Sequence, residues 1–382
     1  MARRDLKVTE LDFDQIKTNF KNFLKTQSEY SDYDFDSSGF DTLLDVFAYN
    51  THYNAFYINS AINESYLATA QQRKNLTKAA RSLDYIPKSR SAASISVDFN
   101  IAIPQNTLVS IYGSTTYGTI QLNRRNRFIT TIDNKSYTFM NLVAQNLTQG
   151  ESSSSGGVTY ENFTATDVTI EQGEFTTFKF TVDATDDEQR FIIPSANIDT
   201  SVLTVSGVKS GETISSTYVS HKTISQQDIT GTTYVYFLFE NSDGDYELRF
   251  GDDSYGRAPD NNEVITIEYL DTDGSLANGA NDFSASANIL ASGNIISDAT
   301  VVITTAARSA GGAEKETNES IRNNAPLSFK SQDRAVIADD YGALIQSNFT
   351  ILRLLLYGVV KIMTHRDMVK YLWQLNHMVL IT

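Results

Sequence analysis

The chain has 382 residues and a formal net charge of −15, with 41% hydrophobic and 20% charged residues. That apolar content supports two or three domains with their own cores and excludes a disordered polymer. The acidic balance repels phosphate and so excludes a duplex-binding surface, while the lack of cysteine excludes disulfides, thiolate metal sites and cysteine nucleophiles.

The N-terminal stretch MARRDLKVTELDFD has two arginines with no apolar run behind them, so no secretory signal is expected and the protein is expected to stay in the cytoplasm that makes it. The first ninety residues read as helical. Phe13, Ile16, Phe20, Phe23 and Leu24 fall on one helix face. Ser37 or Ser38 is a predicted cap for a second helix carrying Phe40, Leu43, Leu44, Phe47 and Phe56. A third is predicted from Asn63, with Tyr66, Leu67, Ala70, Leu76, Ala79 and Leu83 on one side and Pro87 as its stop. The uncharged run Val46 to Asn63 is too rich in amides and hydroxyls for a bilayer span.

From about Ser94 the period changes to two: Ile95, Val97, Phe99 and Ile101 alternate with small or polar residues, as on a half-buried strand. Short β-branched and aromatic runs continue to about residue 305. Gln149 to Gly157 reads as a flexible loop or linker. Tyr234 to Glu240 and Tyr246 to Phe250 read as a hairpin, with Asp243-Gly244 supplying positive φ angles, and a second turn is predicted at Asp273-Gly274 after the alternating Ile265, Ile267 and Tyr269. Past residue 305, Gly311-Gly312 reads as a hinge. A short helix capped near Thr317 is expected to end before Pro326, and another to begin near Asp339.

Residue chemistry offers little for catalysis or metal binding. His52, His221, His365 and His377 have no ligand spacing between them. The acidic pairs Asp186-Asp187, Asp243/Asp245, Asp252-Asp253 and Asp271/Asp273 sit in or beside turns, where Asp bonds local amides. A glycosidase would use such a pair, but the calcium-loop register at Asp271 to Gly274 fails for want of a Glu at the twelfth position. No phosphate loop or nucleophile elbow occurs, and Arg124-Arg125-Asn126-Arg127 reads as a hairpin end. No catalytic residue, metal site or cofactor is expected.

Three segments carry a resemblance. Tyr33 to Ala93 holds Ala48-Tyr49-Asn50, then Glu64-Ser65 and Thr69-Ala70. Tyr246 to Asn281 holds Phe250-Gly251-Asp252, Gly256 and Pro259, with Asp253 where glycine is commoner. Gly311 to Ile345 holds Gly311-Gly312, Glu316, Arg322, Pro326, Arg334 and Asp340-Tyr341. In this order they resemble the baseplate J-like family of contractile phage tails, in its wedge-subunit form of T-even-like phages. The resemblance implies a structural, non-enzymatic baseplate wedge subunit. It would pair with itself, with other wedge subunits and with the sheath-initiating subunit, into a ring around the tail hub. It implies a place in the tail baseplate of the virion, assembly in the host cytoplasm, and no nucleic-acid or membrane partner.

After Gly358 the texture changes. Val359 to Thr382 hold three of the five methionines, the only tryptophan and no glycine. Codons exist for this stretch that, read one frame back, spell a turn, two prolines and an amphipathic strand like that of the wedge family. A slip of the reading frame near Tyr357-Gly358 is the expected cause, and the nucleotide sequence decides it. Exposed Leu354-Leu355-Leu356 would then invite aggregation.

The expected fold class is α+β: a helical assembly region at 1–90, mostly antiparallel β-domains at 91–157 and 158–305, a helical linker and the start of a further domain at 306–358, and an out-of-frame tail at 359–382. The competing readings are a glycan-binding receptor or tail-fibre protein, for which repeats and a trimeric coiled coil are missing, and a glycan hydrolase, which requires paired carboxylates in a cleft with one pKa raised.

Overall fold

The computed structural model describes residues 12–114, 118–186, 189–224, 226–285 and 288–331. They form two compact units. The first is built from the described residues up to Ile86 together with Asn241–Gly244 and Thr317–Phe329, and the second from Pro87–Glu240 and Asp245–Glu316. The architecture is α+β, with helices first and extensive, mostly antiparallel sheet after them.

In the first unit, α1 spans Phe13–Lys25 and starts where Asp12 accepts the Gln15 amide at 2.9 Å. Ile16 is buried, while Phe23, read from spacing as part of the same face, is 64% exposed. α2 spans Phe40–Glu64. Its N-cap is Gly39, without a side-chain cap bond, so the expected serine cap is not used. Lys17 joins α1 to α2 through Asp41 at 2.8 Å and Asp45 at 2.6 Å, and Lys21 reaches Asp41 at 2.8 Å.

The third helix does not start at Asn63. Instead α2 continues to Glu64, and α3 spans only Arg73–Arg81. The intervening turn forms because the Glu64 carboxylate accepts the amides of Gln71 at 2.9 Å and Gln72 at 3.1 Å, acting as a remote cap for α3. α3 then ends before Pro87, with Asp84 at φ 56° and the Tyr85 amide bonded to the Ala80 carbonyl at 3.1 Å.

The second unit holds α4 (Gln105–Tyr112) and two sheets. The chain enters through β1 (Ser94–Pro104), β2 (Thr119–Leu122), β3 (Arg127–Ile132), β4 (Lys135–Asn141), β5 (Gln145–Gln149), β6 (Ser153–Ser155) and β7 (Val158–Gln172). It continues through β8 (Glu174–Thr181), β9 (Phe191–Ile192), β10 (Ile198–Val208), β11 (Ser215–Ser220), β12 (Val235–Glu240), β13 (Tyr246–Phe250) and β14 (Val264–Asp271). Last come β15 (Ser284–Ala285), β16 (Ile289–Ala291), β17 (Asn294–Ile296) and β18 (Thr300–Thr305). Among the described residues, β1–β7 and β15–β18 make one sheet and β8–β14 the other, in the order β8-β14-β10-β11-β12-β13-β9.

The first sheet is organised by β7, which is long enough to pair with β1 along one edge and with β4, β5 and β6 on the other. Ile95, Val97, Phe99 and Ile101 on β1 all point into its core, as their alternation predicts. Ile265, Ile267 and Tyr269 on β14 are buried likewise. The pairing of β11 with β12 is parallel.

Several local expectations change. Gln149–Gly157 is not a flexible linker: it ends β5, supplies β6 and turns into β7 through Gly156 (φ 57°) and Gly157 (φ 80°), a pair suited to a tight hairpin. In the β12–β13 hairpin only Gly244 has positive φ, at 94°. Asp243 instead donates its amide to Asn241 Oδ1 at 2.9 Å. α5 spans Asn318–Ser331 and runs through Pro326 instead of ending before it. Burial of Ile321 and Ala325 on the side of the helix that enters the core outweighs the one backbone bond that proline removes. The helix expected near Asp339, the leucine run and the tail from Val359 lie outside the described residues.

Candidate assembly interface

α2 buries a narrow stripe, Leu44, Ala48, Ala55 and Asn59. At helical spacing that stripe covers roughly 60° of the circumference. Opposite it, over an arc of roughly 200°, Leu43, Val46, Phe47, Tyr49, Tyr53, Phe56, Tyr57 and Ile58 are each between 40% and 62% exposed. The rings touch along the helix, with Tyr49 and Tyr53 centroids 4.5 Å apart and Tyr53 and Tyr57 6.2 Å apart. No charged side chain occurs from Val46 to Asn63. Exposed Asn50 and Asn54 lie on the same side, with Asn54 Nδ2 donating to Asn50 Oδ1 at 3.2 Å. The surface is therefore uncharged and mainly aromatic, with large exposed rings of the kind enriched in interface cores.

The resemblance motifs are brought together in several places. In the helical unit, Glu64 caps the turn before α3, Ser65 Oγ donates to the Ala61 carbonyl at 2.8 Å, and Thr69 Oγ1 donates to the Asn63 carbonyl at 2.6 Å. The Ala70 carbonyl in that turn accepts Arg322 Nη2 at 2.8 Å and Nε at 3.2 Å. Ala48 is buried, whereas Tyr49 and Asn50 face outward. Pro326 is half-buried within α5.

In the second unit, Lys88 to Ser94 runs beside Ala310 to Glu316. The Lys88 amide donates to Glu316 Oε2 at 3.0 Å, and Ser91 and Ala313 exchange backbone bonds of 3.0 and 3.1 Å. Gly312, expected as part of a hinge, is a tight crossing: a Cβ there would lie 2.3 Å from the Gly274 carbonyl oxygen. Asn278 clamps it, donating Nδ2 to the Gly312 carbonyl at 2.8 Å and accepting its amide at 2.9 Å. Gly311 beside it has φ 88°. Phe250 meets Phe191 and Tyr218 edge to face, with ring centroids 5.1 and 4.9 Å apart. Gly251 crosses Gly256 so closely that a Cβ would fall 2.1 Å from the Gly256 carbonyl. Asp252 accepts the amides of Ser254 and Tyr255 at 3.0 and 2.9 Å, and these bonds hold its carboxyl below the usual range. Pro259 is half-buried, and Asp253 adopts φ 65°, the conformation glycine would take without strain. Arg334, Asp340 and Tyr341 lie outside the described residues.

Residues 12–85 match the family model described as baseplate wedge protein gp6-like, helical domain. Over 371 residues the chain is 28% identical to baseplate wedge protein gp6 of Enterobacteria phage T4. It is similar to baseplate wedge proteins. The match covers 88% of this chain and 50% of that relative, so the chain spans about half the relative's length. α2, with its exposed aromatic face, lies inside the segment matched by the wedge-type helical domain.

The rival sites are absorbed by folding. Arg125 pairs with Glu268 at 2.8 Å and lies over the Phe175 ring at 4.6 Å, Arg124 reaches Glu268 at 3.5 Å, and Arg127 pairs with Glu174. Each arginine of the basic stretch is therefore paired with a carboxylate of the same chain, Glu268 or Glu174. Asp271 accepts Ser195 Oγ at 2.9 Å, and Asp273 accepts Lys135 Nζ at 3.2 Å and Gln172 Nε2 at 3.0 Å. Among the described residues no cluster of three metal-ligating side chains occurs, and no helix is long and apolar enough to cross a membrane.

One carboxyl is raised: burial, then the charge of Asp199, pushes Glu171 up to about 7. Both oxygens of Asp199 are already taken, by the Ala92 amide at 2.7 Å and by the Ser201 amide and hydroxyl at 2.9 and 2.6 Å. Asp199 is itself buried and ties Ala92 to the Ser201 turn. Because Glu171 holds its proton more tightly in the folded state, stability falls as pH rises from its ordinary value of 4.5, and the penalty is complete above about 7. Glu171→Gln is expected to raise stability by about 1–2 kcal/mol at pH 8 and to change little at pH 4. Urea denaturation of both proteins at the two pH values checks it.

Sequence reasoning missed the buried ionic network behind the Gly251–Gly256 crossing. Glu263 is fully buried and accepts Arg257 Nη2 at 2.9 Å, the Tyr218 hydroxyl at 2.8 Å and the Asp260 amide at 2.9 Å. Arg257 also donates to the Tyr218 hydroxyl at 2.7 Å and to Asp260 at 2.6 Å, and lies over the Tyr234 ring at 4.7 Å. Arg257, Asp260 and Glu263 follow one another three residues apart in the stretch before β14, but Tyr218 comes from β11, so the network closes only on folding.

Proposed function

We propose that this chain is a structural subunit of a phage tail baseplate wedge, acting as an assembly scaffold and not as a catalyst. Its place is the baseplate of the virion, reached by assembly in the host cytoplasm. Its partners are a second copy of itself and other wedge proteins, including the sheath-initiating subunit. The observation that carries the reading is the uncharged aromatic face of α2, within a segment similar to the gp6-like helical domain. The exposed apolar side chains of that face could supply the core of an interface of roughly 800 Å² per partner. The strong net negative charge elsewhere keeps unassembled chains apart, and the uncharged face lets two acidic chains meet without local repulsion.

The test is co-expression with the neighbouring tail genes, affinity capture and native mass determination. A complex containing a second copy and another wedge protein is expected. Phe56→Asp combined with Tyr57→Asp should weaken association by roughly 100-fold or more while leaving the melting temperature of the free chain nearly unchanged, because both rings are solvent-exposed. Unaltered association in that variant removes α2 as the interface, and a monomer that binds host glycan in place of tail proteins overturns the scaffold reading.

A further inference from the structure

α5 is the fourth helix of the helical unit, although Arg322 and its acceptor Ala70 are 252 residues apart in sequence. Ile321 and Ala325 are fully buried in one cluster with Ala70, Leu76, Ala80 and Tyr85. Polar contacts add direction. Arg322 donates twice to the Ala70 carbonyl, at 2.8 and 3.2 Å, and Asn318 Nδ2 donates to the Gln71 carbonyl at 3.1 Å. Both acceptors lie in the turn from Ser65 to Gln72, and the other side of that turn is held by Glu64, the last residue of α2, through the Gln71 and Gln72 amides and Asn75 Nδ2 at 2.9 Å. α5 and α2 thus grip the same turn from opposite sides.

Neither small helix is self-sufficient. α3 has nine residues, too few to persist in water without packing. α5 carries Pro326 in its interior and lacks the backbone bond an N–H would make there. Each supplies the apolar surface the other lacks, so their docking is cooperative.

We propose that α5 is a strap that locks the turn after α2, so that the chain leading out of Ser331 is energetically coupled to α3 and to the C-terminal end of α2. With α5 docked, Glu64 and the last turn of α2 are fixed. With α5 released, the turn and α3 open and the end of α2 loosens. The consequence for assembly rests on the proposed role of α2. The coupling itself does not.

The experiment is hydrogen exchange on the full chain, at a concentration where it is unassociated, so that failure of the assembly reading leaves the outcome unaffected. Arg322→Ala removes both bonds to the Ala70 carbonyl. It is expected to speed exchange of the Leu76 and Ala80 amides and of the last turn of α2 by about tenfold or more, with β14 unchanged. Should Arg322→Ala prevent folding of the unit, Asn318→Ala removes only the bond to Gln71 and is expected to produce the same pattern at roughly two- to fivefold. Acceleration confined to α5, with Leu76, Ala80 and the end of α2 at wild-type rates, overturns the strap.

Discussion

Arg257→Ala lowers the stability of the second unit by about 3–5 kcal/mol at pH 7, because it leaves the fully buried Glu263 carboxylate without its cation. The effect carries a pH signature. Burial alone would raise Glu263, but hydrogen bonds from Arg257, the Asp260 amide and the Tyr218 hydroxyl outweigh it and hold the carboxyl below its ordinary value of 4.5. In the native protein the stabilisation from Glu263 is therefore present above that ordinary value and is lost as pH falls through the lower folded one. In the variant the cation is gone and burial dominates, so the folded carboxyl sits above 4.5. Its penalty is then full at neutral pH and disappears on acidification. The deficit measured by urea denaturation should shrink steadily from pH 7 to pH 4, and Arg257→Ala with Glu263→Gln should recover much of the loss at pH 7. A deficit that is constant with pH assigns the effect to lost packing around the guanidinium.

Gly251→Ala is expected to cost about 3 kcal/mol or more, since the new methyl would lie 2.1 Å from the carbon and oxygen of the Gly256 carbonyl. The contact is between two stretches of backbone, so no side-chain rotation relieves it, and the loop carrying Asp252 and Asp253 has to move. The companion measurement is Gly211→Ala. Gly211 has φ 81°, but nothing lies within 4 Å of where its methyl would stand, so only the left-handed conformation is penalised, at about 1–2 kcal/mol. Thermal unfolding of both variants separates close approach from conformational strain. Gly251 itself has no positive φ, so a loss no larger than that at Gly211 would show that the loop relaxes around the new methyl and that the crossing does not require glycine.

Some elements are legible because local rules and tertiary packing agree on them. α1 follows from its apolar spacing, β1 and β14 from alternation, and the β12–β13 hairpin from two β-rich runs flanking Asn-Ser-Asp-Gly. The departures come where a distant residue decides. The turn at Ser65 to Gln72 interrupts a continuous helical pattern because a carboxylate at the end of α2 caps a helix beginning nine residues on. α5 passes through Pro326 because a core assembled from residues near 76 and 80 receives Ile321 and Ala325. Gly311-Gly312 has the composition of a hinge and the surroundings of a clamp, since Asn278 and Gly274 arrive there from another part of the chain.

For the candidate interface the division is sharper. Composition and order of motifs suffice for the α+β class, the similarity to wedge proteins and the absence of charge along α2, since these depend only on which residues occur and where. Which side of α2 stays uncovered is decided in three dimensions. Sequence places Phe40, Leu43, Leu44, Phe47 and Phe56 on one helix and leaves open which of them pack inside the chain. The structure buries Leu44, Ala48, Ala55 and Asn59 and leaves Phe47 and Phe56 outside. A helix that is apolar on most of its circumference satisfies the periodicity of several faces at once. Only the small side chains at Ala48 and Ala55, which let a neighbour approach closely, select the one that is buried, and the bulk of the rings is left to face a partner.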